Sequence, residues 1–233
     1  MSGITHLLFD CDGTLVDSER IVMAAMQLAG GRLGLELTRE DCHRLFLGHI
    51  RRHCLRVFEQ HYGAPLPESF AIDLAAAIRH RLETELQPVP GVAAALEQLP
   101  QIKCLVSNGS PEHVSFVLEK TGLVTPFVGR CYSAIPPCEP KPSPMLYRQT
   151  MERLGIEPQQ CIAIEDSAAG VTAAVAAGIR TLGFAMLAGR EQLLRVGALA
   201  AFSDMVALPG LIATIEASAT GAGAHTAATI VNA

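Results

Sequence analysis

Lysine is close to absent from this chain: Lys103, Lys120 and Lys141 stand against fifteen arginines, and residues 16–87 hold none at all. Chemistry that needs a lysine amine in that stretch is excluded. The sequence has no basic tract, no zinc-finger spacing and no apolar run long enough to span a bilayer. With a net charge of −5 and a pI near 5.9, it offers no general polyanion surface, so neither nucleic acid nor membrane is an expected partner. An apolar strand pattern begins within a few residues of Met1, leaving no room for a secretory signal, and the cytoplasm is the expected compartment. Seven cysteines, an odd count with no paired metal spacing, read as reduced structural thiols. Internal repeats are absent as well.

What is present is a set of four polar clusters, each close to an apolar run or a helix start. The 233 residues are 49% hydrophobic and 18% charged, enough for one large domain or two modest ones. Leu7-Leu8-Phe9-Asp10-Cys11-Asp12-Gly13-Thr14 runs a strand into two carboxylates one residue apart. Alternate side chains of an extended chain point the same way, so Asp10 and Asp12 can aim at one point, where like charges need a cation or a shared proton. Taken alone, the pattern is equally a polar turn. A second run ends in Ser107, Asn108 and Gly109, ahead of a helix that Pro111 would start. A hydroxyl and loop N–H groups suit phosphate there, and also suit an ordinary turn. Glu139-Pro140-Lys141-Pro142 stiffens the backbone around one of the few lysines, just before a helix pattern from Met145 to Leu154. Finally, Cys161-Ile162-Ala163-Ile164 delivers Glu165 and Asp166, with Ser167 as the N-cap of a helix that Gly178 ends. The acids of the first and last clusters are the hard oxygen donors that Mg2+ prefers.

The hydrophobic period divides the chain. From about Asp17 to Gln87 only helical spacing is found, as in Ile21, Met26 and Leu28 and again in Phe70, Leu74, Ile78 and Leu82. Thr38-Arg39-Glu40-Asp41 has the form of a capping box. Beyond Pro88 helix and strand patterns alternate, which predicts a parallel sheet covered on both faces. The expected organisation is an α/β doubly wound, Rossmann-like core of residues 1–16 and 88–215, a small α-helical cap of residues 17–87 inserted between hinges, and a poorly ordered tail of residues 217–233.

In this order the four clusters resemble the motifs of the haloacid dehalogenase superfamily of phosphotransferases, in its branch with a helical cap. The resemblance implies that Asp10 is a nucleophile that takes up phosphate and that Asp12 is the acid and base. It further implies that Ser107, Asn108, Gly109 and Lys141 hold the phosphoryl group, with Lys141 also in the catalytic set. Mg2+ would be bound by Asp10, the backbone carbonyl of Asp12 and Asp166, with Glu165 as a supporting or alternative ligand. Cys11 would be a buried filler between the aspartates or a site of oxidative inactivation.

Within the superfamily the residues discriminate. Dehalogenases lack the second aspartate, which is present as Asp12. Phosphonatases use a cap lysine, and residues 16–87 have none. The β-phosphoglucomutase branch carries a His and a Lys where this chain has Val22 and Leu47. What remains is hydrolysis of a small phosphorylated metabolite, a sugar phosphate or a phosphorylated sugar acid such as 6-phosphogluconate. Phosphoglycolate hydrolysis, a phosphosugar mutase and a non-catalytic phosphometabolite-binding protein are the alternatives. Gly48, His49 and Arg51 in the cap are expected to select the leaving group, with Arg51 able to bind it bidentately. The connection Ala134–Pro140 is short for the family, which raises the question whether Lys141 reaches the site. A monomer or weak homodimer is expected.

Overall fold

The computed structural model describes residues 3–47 and 51–219, of residues 51 and 219 the backbone alone. Six short strands, β1 (His6–Phe9), β2 (Ile102–Ser107), β3 (Cys131–Ser133), β4 (Cys161–Glu165), β5 (Arg180–Phe184) and β6 (Ala200–Phe202), form one sheet in the order β3-β2-β1-β4-β5-β6. Every neighbouring pair is parallel. Every residue of β1 and β4 is buried, as strands covered on both faces require, and this explains why they read as continuous apolar runs instead of alternating ones. Phe9 is in register with Leu105 on one side and Ile164 on the other. The chain leaves β1 toward β2 and β3 and later returns to β1's other side with β4. The order therefore reverses between β1 and β4, where open α/β sheets form a crevice at the carboxyl ends of their strands.

The helices that cover the sheet are α5 (Val92–Gln98), α6 (Pro111–Thr121), α7 (Met145–Leu154), α8 (Ala168–Ala176), α9 (Arg190–Arg195) and α10 (Leu208–Ala219). Their ends follow the local signals. Ser110 and Ser167 cap α6 and α8 through their side-chain oxygens, and Pro111 opens α6. One layer of the core packs Leu8, Cys104, Val106, Leu146, Tyr147, Cys161 and Ala163 together. The expected tail begins too early: α10 continues through residues 217–219, with Ser218 bonding back to the Thr214 carbonyl at 2.9 Å. Alanine is the strongest helix former, so an uncharged Ala-rich stretch extends a helix that already has a buried face. Residues 220–233 lie outside the described residues.

Contacts divide the chain into two compact units, one made of the residues up to Val16 and from Pro88 onward, the other of Asp17–Gln87. Among the described residues the regular elements of the second unit are helices: α1 (Ser18–Arg32), α2 (Arg39–Phe46), α3 (Arg51–Tyr62) and α4 (Phe70–Glu85). Its core joins Met23, Met26, Cys42, Cys54, Leu74 and three phenylalanines. Phe46 stacks on Phe58 at 4.8 Å between centroids, and Phe58 meets Phe70 edge-on at 5.1 Å. Leu28, expected inside, is 60% exposed, because the buried arc of α1 is centred on Ala25, Met26 and Ala29 and ends short of it. No helix of the described residues is long and apolar enough to cross a membrane.

The capping box at α2 is reciprocal: Asp41 N–H donates to Thr38 Oγ1 at 3.0 Å, and Thr38 N–H donates to Asp41 Oδ2 at 3.0 Å. Thr38→Ala leaves the Asp41 N–H without this acceptor and is expected to lower stability by roughly 1 kcal/mol, read as a fall in the urea midpoint.

Candidate active site

Asp10 directly follows the central strand, and its N–H continues the parallel ladder by donating to the Ile164 carbonyl at 2.9 Å. Its side chain is thereby fixed at the carboxyl edge, between the ends of β2 and β4. Gly13 then turns the chain at a φ of 78°. Lys141 does reach this point despite the short connection before it. Its side chain is 3% exposed, and Nζ lies 2.5 Å from Asp10 Oδ1, 2.6 Å from Glu165 Oε1 and 2.6 Å from the Val106 carbonyl. The three donors of the ammonium thus meet three acceptors. The backbone of Lys141 is held by Asn108, whose Oδ1 accepts from Lys141 N–H at 2.8 Å and whose Nδ2 donates to the Lys141 carbonyl at 3.2 Å.

Those bonds revise the expectation for the second cluster. The Asn108 side chain positions the lysine loop. The Gly109 N–H, expected as an anion donor, instead donates to Ser107 Oγ at 2.9 Å. Ser107 itself is buried at the end of β2, and accepting this bond leaves its hydroxyl proton to donate.

Asp10, Glu165 and Asp166 are all buried, and one carboxylate oxygen of each lies within 4.8 Å of the others. Asp12, expected to offer its backbone carbonyl to the metal, turns its side chain elsewhere. Both of its carboxylate oxygens lie 3.0 Å from Nε2 of His113. Two functional residues were thus missed from the sequence. His113 stands in the first turn of α6, and Tyr147, fully buried in the first turn of α7, donates its hydroxyl to Glu165 Oε1. Each belongs to a helix start already recognised, and only the partner was invisible. Gly48 and His49 lie outside the described residues; Arg51 opens α3, and its side chain is outside them too.

The electrostatics follow from burial. Desolvation pushes the Asp10 carboxyl up to about 7, with Lys141 working against the rise and Glu165 adding to it. Desolvation also opposes the Lys141 charge, yet Asp10 and Glu165 together hold the ammonium above the usual lysine range. Burial, then Asp12 and Asp10, push the Cys11 thiol far up, so it is an inert filler between the aspartates. Three buried carboxyl groups lie within reach of one another, two of them sharing one ammonium, and Glu165 Oε2 has no hydrogen-bond partner among the described residues. The donor set therefore fits a hard divalent cation. Glu165 can lie so deep only because residue 170 has no side chain: a Cβ there would stand 1.7 Å from its Oε2.

A family model for haloacid dehalogenase-like hydrolases matches residues 4–178. The chain belongs to that family. Among curated proteins, this haloacid dehalogenase-like hydrolase is 29% identical over 185 residues to a 6-phosphogluconate phosphatase of Escherichia coli (strain K12), covering 79% of this chain and 84% of that one. It is also 29% identical over 193 residues to a phosphorylated carbohydrates phosphatase of Thermotoga maritima, covering 76% and 82% of the two chains. Among solved structures, a conserved haloacid dehalogenase-like protein of unknown function from Agrobacterium tumefaciens str. C58 superposes with a TM-score of 0.85 at 30% identity. That match covers 91% of this chain and 99% of the other. Family and relatives together make the chain a phosphoric monoester hydrolase.

Two outcomes are expected. Because the folded state keeps a proton on Asp10 that the unfolded chain releases near the usual carboxylate value, the metal-free protein should lose stability as pH rises from about 4 to about 7. Asp10→Asn should flatten that slope. Urea midpoints across the range with metal ions chelated check this, and identical slopes would remove the raised carboxyl. Gly170→Ala should force Glu165 from its place, costing roughly 1–3 kcal/mol by overpacking and most of the activity; thermal melts and turnover read it.

Proposed function

We propose that this hydrolase releases phosphate from a sugar phosphate or a phosphorylated sugar acid such as 6-phosphogluconate, by way of an aspartyl-phosphate on Asp10 and with Mg2+ as cofactor. One observation carries the reading: a buried carboxylate at the end of the central strand is ion-paired to a buried lysine, with a second, more exposed carboxylate two residues on. The names of the Escherichia coli and Thermotoga maritima relatives support the substrate class.

In the first step a carboxylate oxygen of Asp10 attacks phosphorus, and the bond from phosphorus to the leaving oxygen breaks. Asp12 gives its proton to that oxygen. In the second step water attacks the phosphorus of the aspartyl-phosphate and gives a proton to Asp12. The bond to Asp10 then breaks, releasing inorganic phosphate and restoring both carboxyl groups. Lys141 orients the nucleophile and works against the rise that burial causes in its carboxyl, and its charge offsets the repulsion between an anionic nucleophile and an anionic substrate. The Ser107 hydroxyl donates to a phosphoryl oxygen. Asp10, the backbone carbonyl of Asp12 and Asp166 would hold the Mg2+, with Glu165 as a supporting or alternative ligand, and the ion when bound supplies further positive charge against the phosphoryl group.

Phosphate release should be measured over a panel of sugar phosphates, phosphorylated sugar acids, phosphoglycolate and nucleotides, with Mg2+ and again with EDTA. Metal-dependent release that is greatest on sugar-type substrates is expected. Silence across the panel from folded protein would overturn the reading in favour of a mutase or a binding protein. Asp10→Asn should lower turnover by roughly 1,000-fold or more while the protein stays folded, because the amide is nearly isosteric but a poor nucleophile. Substantial residual activity would rule out the covalent route.

A further inference from the structure

Asp12 is the one acid of the site that is neither enclosed in the buried cluster nor held by Lys141. Its side chain is 27% exposed and lies in the loop beyond β1. A group that must first give and then take a proton at one oxygen needs a defined orientation. His113 supplies a contact that can define it. Its Nε2 is equidistant from the two carboxylate oxygens, at 3.0 Å from each, so an N–H there is shared between both lone-pair sets.

The imidazole is itself constrained on two sides. Its backbone N–H donates to the Oγ of Ser110, the N-cap of α6, at 3.3 Å, which sets the helix start from which the side chain departs. The ring lies across Gly109, close enough that a Cβ at that position would come within 2.9 Å of Cδ2. A histidine at the third position of α6 is thus laid over the glycine of the phosphate loop and aimed at the acid.

We propose that His113 is a positioning residue for Asp12, holding its carboxylate in the orientation that serves proton transfer to the leaving oxygen, and thereby tying the acid to the Ser107–Gly109 loop. The inference rests on the reading of Asp12 as the acid and base. A simple staple between the two loops would have a different signature: its loss would weaken the fold and slow all substrates alike. An acid held in the wrong orientation slows those substrates whose leaving group needs the proton. A sugar alkoxide needs it, and a nitrophenolate scarcely does.

The test compares kcat/KM for 4-nitrophenyl phosphate and for the sugar phosphate best used by the wild type, with Mg2+ present. For a covalent route this constant reports only the steps through aspartyl-phosphate formation. Two variants separate shape from hydrogen bonding. His113→Phe fills the ring's place without a donor, and His113→Gln keeps an N–H near the position of Nε2. His113→Phe should lower the sugar phosphate constant about 10-fold or more relative to the aryl constant, and His113→Gln should restore most of the ratio. Equal losses on both substrates, no loss, or a Gln variant no better than Phe would overturn the inference while leaving the phosphatase reading intact. A wild-type enzyme silent on both substrates would overturn that reading and the inference with it.

Discussion

Everything at the carboxyl edge of the sheet depends on one buried ammonium. Lys141 stands between Asp10 and Glu165 with almost no water, and each of those acids would be costly to bury without it. Leaving one member of such a group uncompensated costs on the order of 3–5 kcal/mol. The rest of the local architecture serves to place that amine: the prolines stiffen its loop, Asn108 grips its backbone from both sides, and the Val106 carbonyl takes its third proton. The chain's scarcity of lysine sharpens the point. Arginine, used at fifteen other positions, is a wide planar fork that cannot be neutralised and could not fit where a compact point charge meets three acceptors.

The charge balance also explains why the site is built from elements distant in sequence. Asp10 comes from β1, Glu165 and Asp166 from the end of β4, Ser107 from β2, and the lysine from the loop that precedes α7. Parallel order brings the strand ends to one edge, and the reversal between β1 and β4 opens the crevice in which the acids meet. Tyr147 and the missing side chain at position 170 hold Glu165 in a space that accepts only this arrangement.

Much of this was legible in the sequence because the signals are local. Strand ends, proline and serine helix starts and the capping box each occupy a few consecutive residues, and their periods or caps are set by neighbours. Asp10, Asp12, Lys141 and Asp166 could be found because they sit within such patterns. His113 and Tyr147 could not, since each looks like an ordinary residue in the first turn of a helix and gains meaning only from a partner on another strand end. Leu28 and residues 217–219 were misjudged for a different reason: burial of a helix face and extension of a helix are decided by what packs against it, which composition does not carry. The Gly109 N–H was assigned to phosphate because a loop read in isolation shows its donors but not the Ser107 oxygen that this one meets.

The central position of β1 has a consequence for how the molecule is made. His6–Phe9 is synthesised before its ladder partners, residues 102–105 and 161–164. A fully buried strand must wait for residues 102–105 before its first edge is paired and for residues 161–164 before its second. The helical segment that follows it has its own aromatic core and only nearby contacts to make, so it can fold during that interval. Asp10 is thus translated before the groups that enclose it, and the centre comes into being only when the lysine and the acids at the end of β4 arrive.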